Sequence, residues 1–432
     1  MDPFHNYDIV EQLVADVPIP NMCKVRQHFD AEKIEDVPAF CAQQLLDSGI
    51  KERIKPGMRI AITAGSRGVQ NIAEITRETV AFLKSCGAEP FIFPAMGSHG
   101  GATAKGQSKI LEHYGITEAF CGCPISSSME VTLIGKTEDG HEVYIDKLAA
   151  EADGIVAINR IKPHTGYRGD YESGLVKMLA IGMGKQRGAD SLHQMGFGHF
   201  KERIPAFGRV IFEKCNVLFG IAAVENAFDE TRILEVIPGE EIFEREPGLL
   251  QKARENMPAI LLPEADVLVV EEIGKNYSGG GMDPNVSGRF ASPFASGGLS
   301  CQRIAVLGLS KHTHGNFIGL GLADVTTKRA YESIDFAETY PNSITSVIFS
   351  SCKIPMVMRS DEYAIKVAIK SCIDIEREQV RIVIIKNTMD VAEILVSASL
   401  LDTVNRLPNL QALGPAQPLS FDTDGNITDL WR

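Results

Sequence analysis

"MRIAITAGSRGVQNIAEITRETVAFLKSCGAEPFIFPAMGSHGG" occupies Met58–Gly101. It opens on a short β-branched apolar run, MRIAITA (Met58–Ala64), with the length and composition of a buried strand. VQNIAEITRETVAFLKSCG follows, its apolar residues recurring with the 3.6-residue helical period until Gly87 stops it. EPFIFPAM (Glu89–Met96) is the next strand, so the stretch reads as one β-α-β unit and the chain as α/β with mainly parallel strands. In such sheets ligands sit beyond the carboxyl ends of the strands. That rule draws attention to the loops AGSRG (Ala64–Gly68) and GSHGG (Gly97–Gly101).

The same rhythm continues outward. GIVAINR (Gly154–Arg160), NVLFGIAAVEN (Asn216–Asn226) and ADVLVVEEIG (Ala265–Gly274) read as strands with helices between them. After the Gly-rich KNYSGGGMDPNVSGR the pattern restarts with QRIAVLGLS (Gln302–Ser310), TSVIFSS (Thr345–Ser351), a helix from about Asp361, and VRIVIIKNT (Val380–Thr388) before VAEILVSASLLDTVNRL. A length of 432 residues exceeds what one core usually organises. We therefore expect two α/β domains, 1–272 and 273–432, with an active-site cleft between them; the first would bind a cofactor and the second complete the substrate site.

Composition narrows the function. Hydrophobic residues are 44% and charged residues 23%, the balance of a globular enzyme. A net charge of −13 argues against a general nucleic-acid binder, so an anionic ligand needs a local site. The nine cysteines are scattered, and Cys121 and Cys123 stand too close for a usual zinc knuckle. No signal-peptide pattern opens the chain and no run approaches the ~20 apolar residues of a membrane span. The expectation is a soluble, cytoplasmic protein that binds neither nucleic acid nor membrane.

Four loops at expected strand ends hold unusual residues. In AGSRG, between strand and helix, the backbone N–H groups of Gly65, Ser66 and Gly68 and the Arg67 guanidinium suit a phosphate or carboxylate, although a plain tight turn explains the same residues. His99 in GSHGG and His164 in KPHTGYRGD (Lys162–Asp170) occupy matched positions where a histidine can serve as general acid or base. Lys177 lies among Leu175, Val176, Met178, Leu179 and Ala180; it is either a wet-face lysine or one suited to covalent attachment. His193 follows Lys177 by 16 residues, and no second histidine has protein-only zinc spacing. In KNYSGGGMDPN (Lys275–Asn285) the consecutive glycines suggest close backbone approach, with Asp283 and Asn285 behind them; an interdomain hinge fits equally.

Taken in order, Arg67, His99, Pro163-His164, Lys177 and His193 resemble the nickel-dependent lactate racemase family and its 2-hydroxyacid racemase and epimerase homologues. The resemblance runs through the N-terminal half and weakly beyond it. It implies an isomerase that inverts the C2 centre of a 2-hydroxy acid by reversible hydride transfer to a nickel-pincer nucleotide, a pyridinium mononucleotide with two sulfur-bearing arms. By resemblance Lys177 carries the cofactor as a thioamide, His193 is the fourth nickel ligand, and one of His99 and His164 removes the hydroxyl proton while the other completes the exchange. Cofactor-maturation enzymes would be partners, and a homo-oligomer is compatible with the sequence.

Departures from the family pattern fall on the substrate side. Ala64-Gly65 replaces an acid before Arg67, and three extra residues separate His164 from Lys177. The lysine and glutamine that lactate enzymes use near Asp283 have no counterparts; Met282 and Gly288 stand there, and Lys275 or Arg289 could substitute. The only tryptophan is Trp431. These changes suit a larger or more hydroxylated acid, such as a sugar acid. The rivals are a nickel-independent hydroxyacid dehydrogenase or dehydratase, with no dinucleotide fingerprint to support the nicotinamide version, and a non-catalytic nucleotide- or anion-binding sensor.

Overall fold

The computed structural model describes residues 4, 6–66 and 68–431. The chain forms two compact units, Ala31–Met257 and a second made of the residues up to Asp30 with Pro258–Arg432. Along the chain the strands are β1 (Met22–Gln27), β2 (Arg59–Ala64), β3 (Glu89–Pro94), β4 (Val131–Lys136), β5 (Glu142–Asp146), β6 (Gly154–Arg160), β7 (Val217–Glu225) and β8 (Thr231–Pro238). They continue with β9 (Val267–Ile273), β10 (Arg303–Leu309), β11 (Val325–Thr327), β12 (Met356–Met358), β13 (Ile382–Ile385), β14 (Glu393–Ser397) and β15 (Leu410–Ala412).

Unit 31–257 is built on a five-stranded sheet in the order β3-β2-β6-β7-β8. Its first four strands run parallel and β8 returns antiparallel. Alternate residues face opposite sides of a strand, and here both sides are dry. Ala61, Phe93, Ile155 and Ala157 enter one core, while Ile60, Ile62, Ile92 and Val156 enter the other. That two-sided burial is why these strands read as continuous apolar runs and not as alternating ones. The expected helix is Ile72–Ser85; it buries Ile75, Val80, Phe82 and Leu83. Gly87 stops it in the left-handed region (φ 83°), where a Cβ would lie 3.2 Å from Pro56 Cβ. β4 and β5 form a separate antiparallel hairpin that local patterning does not reveal.

The second unit carries an eight-stranded sheet in the order β12-β11-β10-β9-β13-β14-β1-β15. Strands β12 to β13 are parallel to their neighbours, and β14, β1 and β15 add on antiparallel. The boundary expected at residue 272 therefore falls inside β9, a central strand whose two edges are both hydrogen-bonded; the units part at 257/258 instead. The first 30 residues belong with this unit because β1 pairs with β14 and β15. TSVIFSS is not a strand. Its start completes the helix Phe336–Ser346, and Val347 and Phe349 are exposed, so no sheet neighbour selects an extended backbone. Among the described residues no helix is long and apolar enough to cross a membrane.

Candidate active site

Parallel order places the carboxyl ends of β3, β2 and β6 on one edge of the 31–257 sheet, and the three chemistry-bearing loops of this unit leave from that edge. They converge on the segment Leu175–His193. A Cβ at Gly65 would lie 3.0 Å from Met178 Cε and 3.9 Å from Asn159 Oδ1. Gly97 N–H donates to the Gly182 carbonyl at 3.0 Å, and Asn159 Nδ2 donates to the Gly174 carbonyl at 2.7 Å. Arg67 lies outside the described residues. Its loop is held downstream by Glu225, whose carboxylate accepts the Gln70 N–H at 2.8 Å and pairs with Arg160.

Lys177 ends the short helix Leu175–Lys177 at the point where the chain widens into a π-helical turn, Met178–Gly182. Such turns recur at functional sites because they displace one side chain from the regular helical path. Leu175, Val176, Met178, Leu179 and Ala180 are buried while Lys177 stays half-exposed. His193 closes the next helix, Lys185–His193, where its Nδ1–H donates to the Ala189 carbonyl at 2.7 Å. That bond fixes the tautomer and leaves the Nε2 lone pair for a metal or a proton. Burial holds the imidazole pKa below its usual value, and the nearby Lys177 ammonium pushes the same way, so His193 is neutral at pH 7.

His164 shares an aromatic wall with His193. Its ring lies 5.6 Å from Phe197 and 4.6 Å from Tyr167, and His193 packs 5.3 Å from Phe200 and 6.4 Å from Phe197. The Gly166 N–H donates to His164 Nδ1 at 2.9 Å, so the neutral ring carries its proton on Nε2. The loop is closed at its base by paired hydrogen bonds between Lys162 and Ser173. Fully buried Glu172 knots it from inside. One carboxylate oxygen accepts the His164 N–H (2.6 Å) and Arg168 (3.3 Å); the other accepts the Gly169 N–H (3.1 Å) and Arg254 (2.6 Å). Glu172, Tyr167, Phe197 and Phe200 are absent from the sequence reading. Glu172 stands in the quoted motif's own loop, but its inward direction has no local signal.

His99 is exposed, and its Nδ1 is hydrogen-bonded to the Ser66 hydroxyl. Ser66 thus meets an imidazole as well as lying in the expected anion loop. The substrate-side candidates belong to the other unit and have internal tasks there. Asp283 caps the helix Pro284–Ser287 by accepting from Asn285 N and Nδ2, both at 2.9 Å. Arg289 pairs with Asp324 at 3.1 Å, and the Lys275 N–H donates to Thr313 Oγ1. The glycines there answer to backbone within the unit: a Cβ at Gly281 would lie 1.7 Å from the Ile318 carbonyl oxygen, and one at Gly288 1.8 Å from that of Leu299. Trp431 folds back onto β9, its indole N–H donating to Glu271 at 2.5 Å.

Glu246 reaches the start of the Lys177 helix from Ile242–Asn256. Its Oε2 accepts the Val176 N–H at 2.9 Å, its Oε1 has no hydrogen-bond partner among the described residues, and a Cβ at Gly174 would fall 2.2 Å from that oxygen. Complete burial pushes the carboxyl up to about 7. A carboxyl raised in the fold contributes stability that is present below its unfolded value of 4.5 and lost as pH rises through about 7. Relative to Glu246→Gln, the wild-type chain should lose about 3 kcal/mol across that window in denaturant melts. Parallel stability profiles for the two proteins would refute this.

Among the described residues no group of three or more His, Cys, Asp or Glu side chains could hold a metal ion. A metal at His193 would therefore need donors from a cofactor. The neutral Nε2 and the neighbouring Lys177 amine fit a group that brings its own ligands and is tethered through lysine.

Residues 21–204 match the family described as the lactate racemase N-terminal domain. No curated protein matches the chain. Among solved structures, the lactate racemase apoprotein from Thermoanaerobacterium thermosaccharolyticum is similar at 15% identity, over 77% of this chain and 83% of that one, with a TM-score of 0.47. A crystal structure of a protein from Thermotoga maritima is similar at 17% identity, over 67% and 73%, also with a TM-score of 0.47.

Proposed function

We propose that this chain, whose residues 21–204 match the lactate racemase N-terminal domain family, is a racemase-type isomerase that inverts the C2 centre of a 2-hydroxy acid. One observation carries the reading. His164 and His193 share Phe197, Lys177 is near enough to His193 to act on its charge, and the His164 loop leaves the carboxyl end of a parallel strand. Lys177 would tether a nickel-pincer nucleotide, His193 Nε2 would complete the nickel coordination, and Gly65, Ser66, Arg67 and Gly68 would surround its phosphate. When bound, that group supplies the hydride acceptor that inversion at an unactivated carbon requires.

The chain's own residues handle the protons. In the tautomer that donates Nδ1–H to the Ser66 hydroxyl, His99 would have Nε2 as acceptor and could take the substrate hydroxyl proton. His164 holds a proton on Nε2 and can return it to the 2-keto oxygen. In the reverse direction the two exchange roles, so each should affect the two enantiomers unequally. Arg67 would be the cation for the substrate carboxylate. A cytoplasmic setting, with maturation enzymes as partners, belongs to the same proposal.

The test is expression alongside pincer-maturation enzymes, nickel analysis, mass spectrometry of the Lys177 peptide, and chiral chromatography with lactate, malate, phenyllactate and gluconate. A nickel-linked adduct on Lys177 and interconversion of enantiomers are expected. An unmodified, nickel-free chain that releases a keto acid or water would move the assignment to a dehydrogenase or dehydratase. Activity on lactate alone would remove the preference for a larger hydroxylated acid.

A further inference from the structure

A second lysine is more deeply engaged than Lys177. Lys185 is fully buried, at the first position of the helix that ends in His193, and its backbone is left-handed (φ 51°), an uncommon state for a side chain of this size. Its ammonium donates two hydrogen bonds and has a carboxylate at ion-pair distance. Asp146 Oδ2 lies 3.1 Å away, Gln107 Oε1 accepts at 3.3 Å, and the Pro94 carbonyl at the end of β3 also accepts. Burial pushes Asp146 up and Lys185 down, each opposed by the other's charge.

The network ends on the loop that carries His99. Gln107, also fully buried, uses both amide hydrogens, donating to the Gly97 carbonyl at 2.9 Å and the His99 carbonyl at 3.2 Å. An amide can present either end, but an ammonium accepts nothing, so Lys185 holds the oxygen toward itself and the NH2 toward the loop. That loop needs such a hold. Gly97, Gly100 and Gly101 all have positive φ and the His99 side chain is exposed, so the loop is held through its backbone: the Gly97 N–H reaches the Gly182 carbonyl, and the Gly97 and His99 carbonyls are left to Gln107.

We infer that Lys185 and Gln107 are positioning residues for His99: the buried ammonium orients the Gln107 amide, which clamps the two carbonyls flanking Ser98 and so couples the His99 loop to the helix that bears His193. The inference rests on the proposed role of His99, and its test is arranged so that the two fail separately.

Gln107→Glu keeps the acceptor for Lys185 and removes both donors to the loop; Gln107→Met serves if that variant does not fold. Backbone amide exchange, followed by peptide mass spectrometry without cofactor, should speed up about tenfold in the 97–103 segment, while β3 and β6 keep wild-type exchange. In the loaded enzyme kcat should fall by about tenfold or more with KM nearly unchanged, because a small displacement of an acid/base group costs turnover and not binding. Lys185→Arg, which keeps a cation facing Gln107, should show a smaller effect than Lys185→Met on both readouts. Unchanged loop exchange in a folded Gln107 variant, or a faster loop with wild-type kcat, overturns the inference. A wild-type chain that interconverts no 2-hydroxy acid overturns the isomerase reading instead, and the exchange comparison then decides the clamp by itself.

Discussion

Lys177→Arg is expected to give a folded chain that carries no nickel and has no measurable racemase turnover. The side chain is half-exposed between buried neighbours, so a second long cation fits there without disturbing Val176 or Met178. Arginine keeps the charge and loses the amine that a thioamide link requires. His193→Gln separates the two functions: the Lys177 peptide should keep its added mass while nickel is lost, because only the Nε2 ligand is gone. His99→Gln and His164→Gln should keep both mass and nickel and lose about 10²–10⁴-fold in turnover, the usual range for a positioned acid or base. Nickel content, peptide mass and chiral chromatography on the four purified variants test the whole pattern. A Lys177→Arg protein that loads nickel and racemises would sink the tether.

The second large effect is on stability. Glu172→Ala should cost about 3–5 kcal/mol, because it removes one partner from a buried charged cluster and leaves Arg254 and the His164 and Gly169 N–H groups without their acceptor. Glu172→Gln should cost less, since one carbonyl oxygen still accepts. Urea melts of both variants give the comparison; a loss below about 1 kcal/mol for the alanine variant would mean that water replaces the carboxylate freely. With the loop loosened, the Gly166 bond to His164 Nδ1 should weaken too. Turnover should then fall further than stability alone predicts in the surviving folded fraction.

Much of this was legible before any coordinates. The apolar runs at β2, β3, β6, β7, β9, β10 and β13 and the 3.6-residue period of the Ile72–Ser85 helix are local properties: each is set by side chains a few positions apart and by burial on both sheet faces. Because parallel strands send their following loops to one edge, the sequence by itself also determined that Ser66, His99 and His164 share that edge. Tertiary structure alone decided the rest. β1 joins a sheet whose other strands lie more than 230 residues later, Glu246 caps a helix 70 positions before it, and Lys185 finds its acceptors 91, 78 and 39 positions upstream. Such pairings leave no periodicity in the chain. A buried charge is selected by the partners that packing delivers to it: donors for Glu172, of which Arg254 comes from 82 positions away, and acceptors for Lys185, none of them near it in sequence.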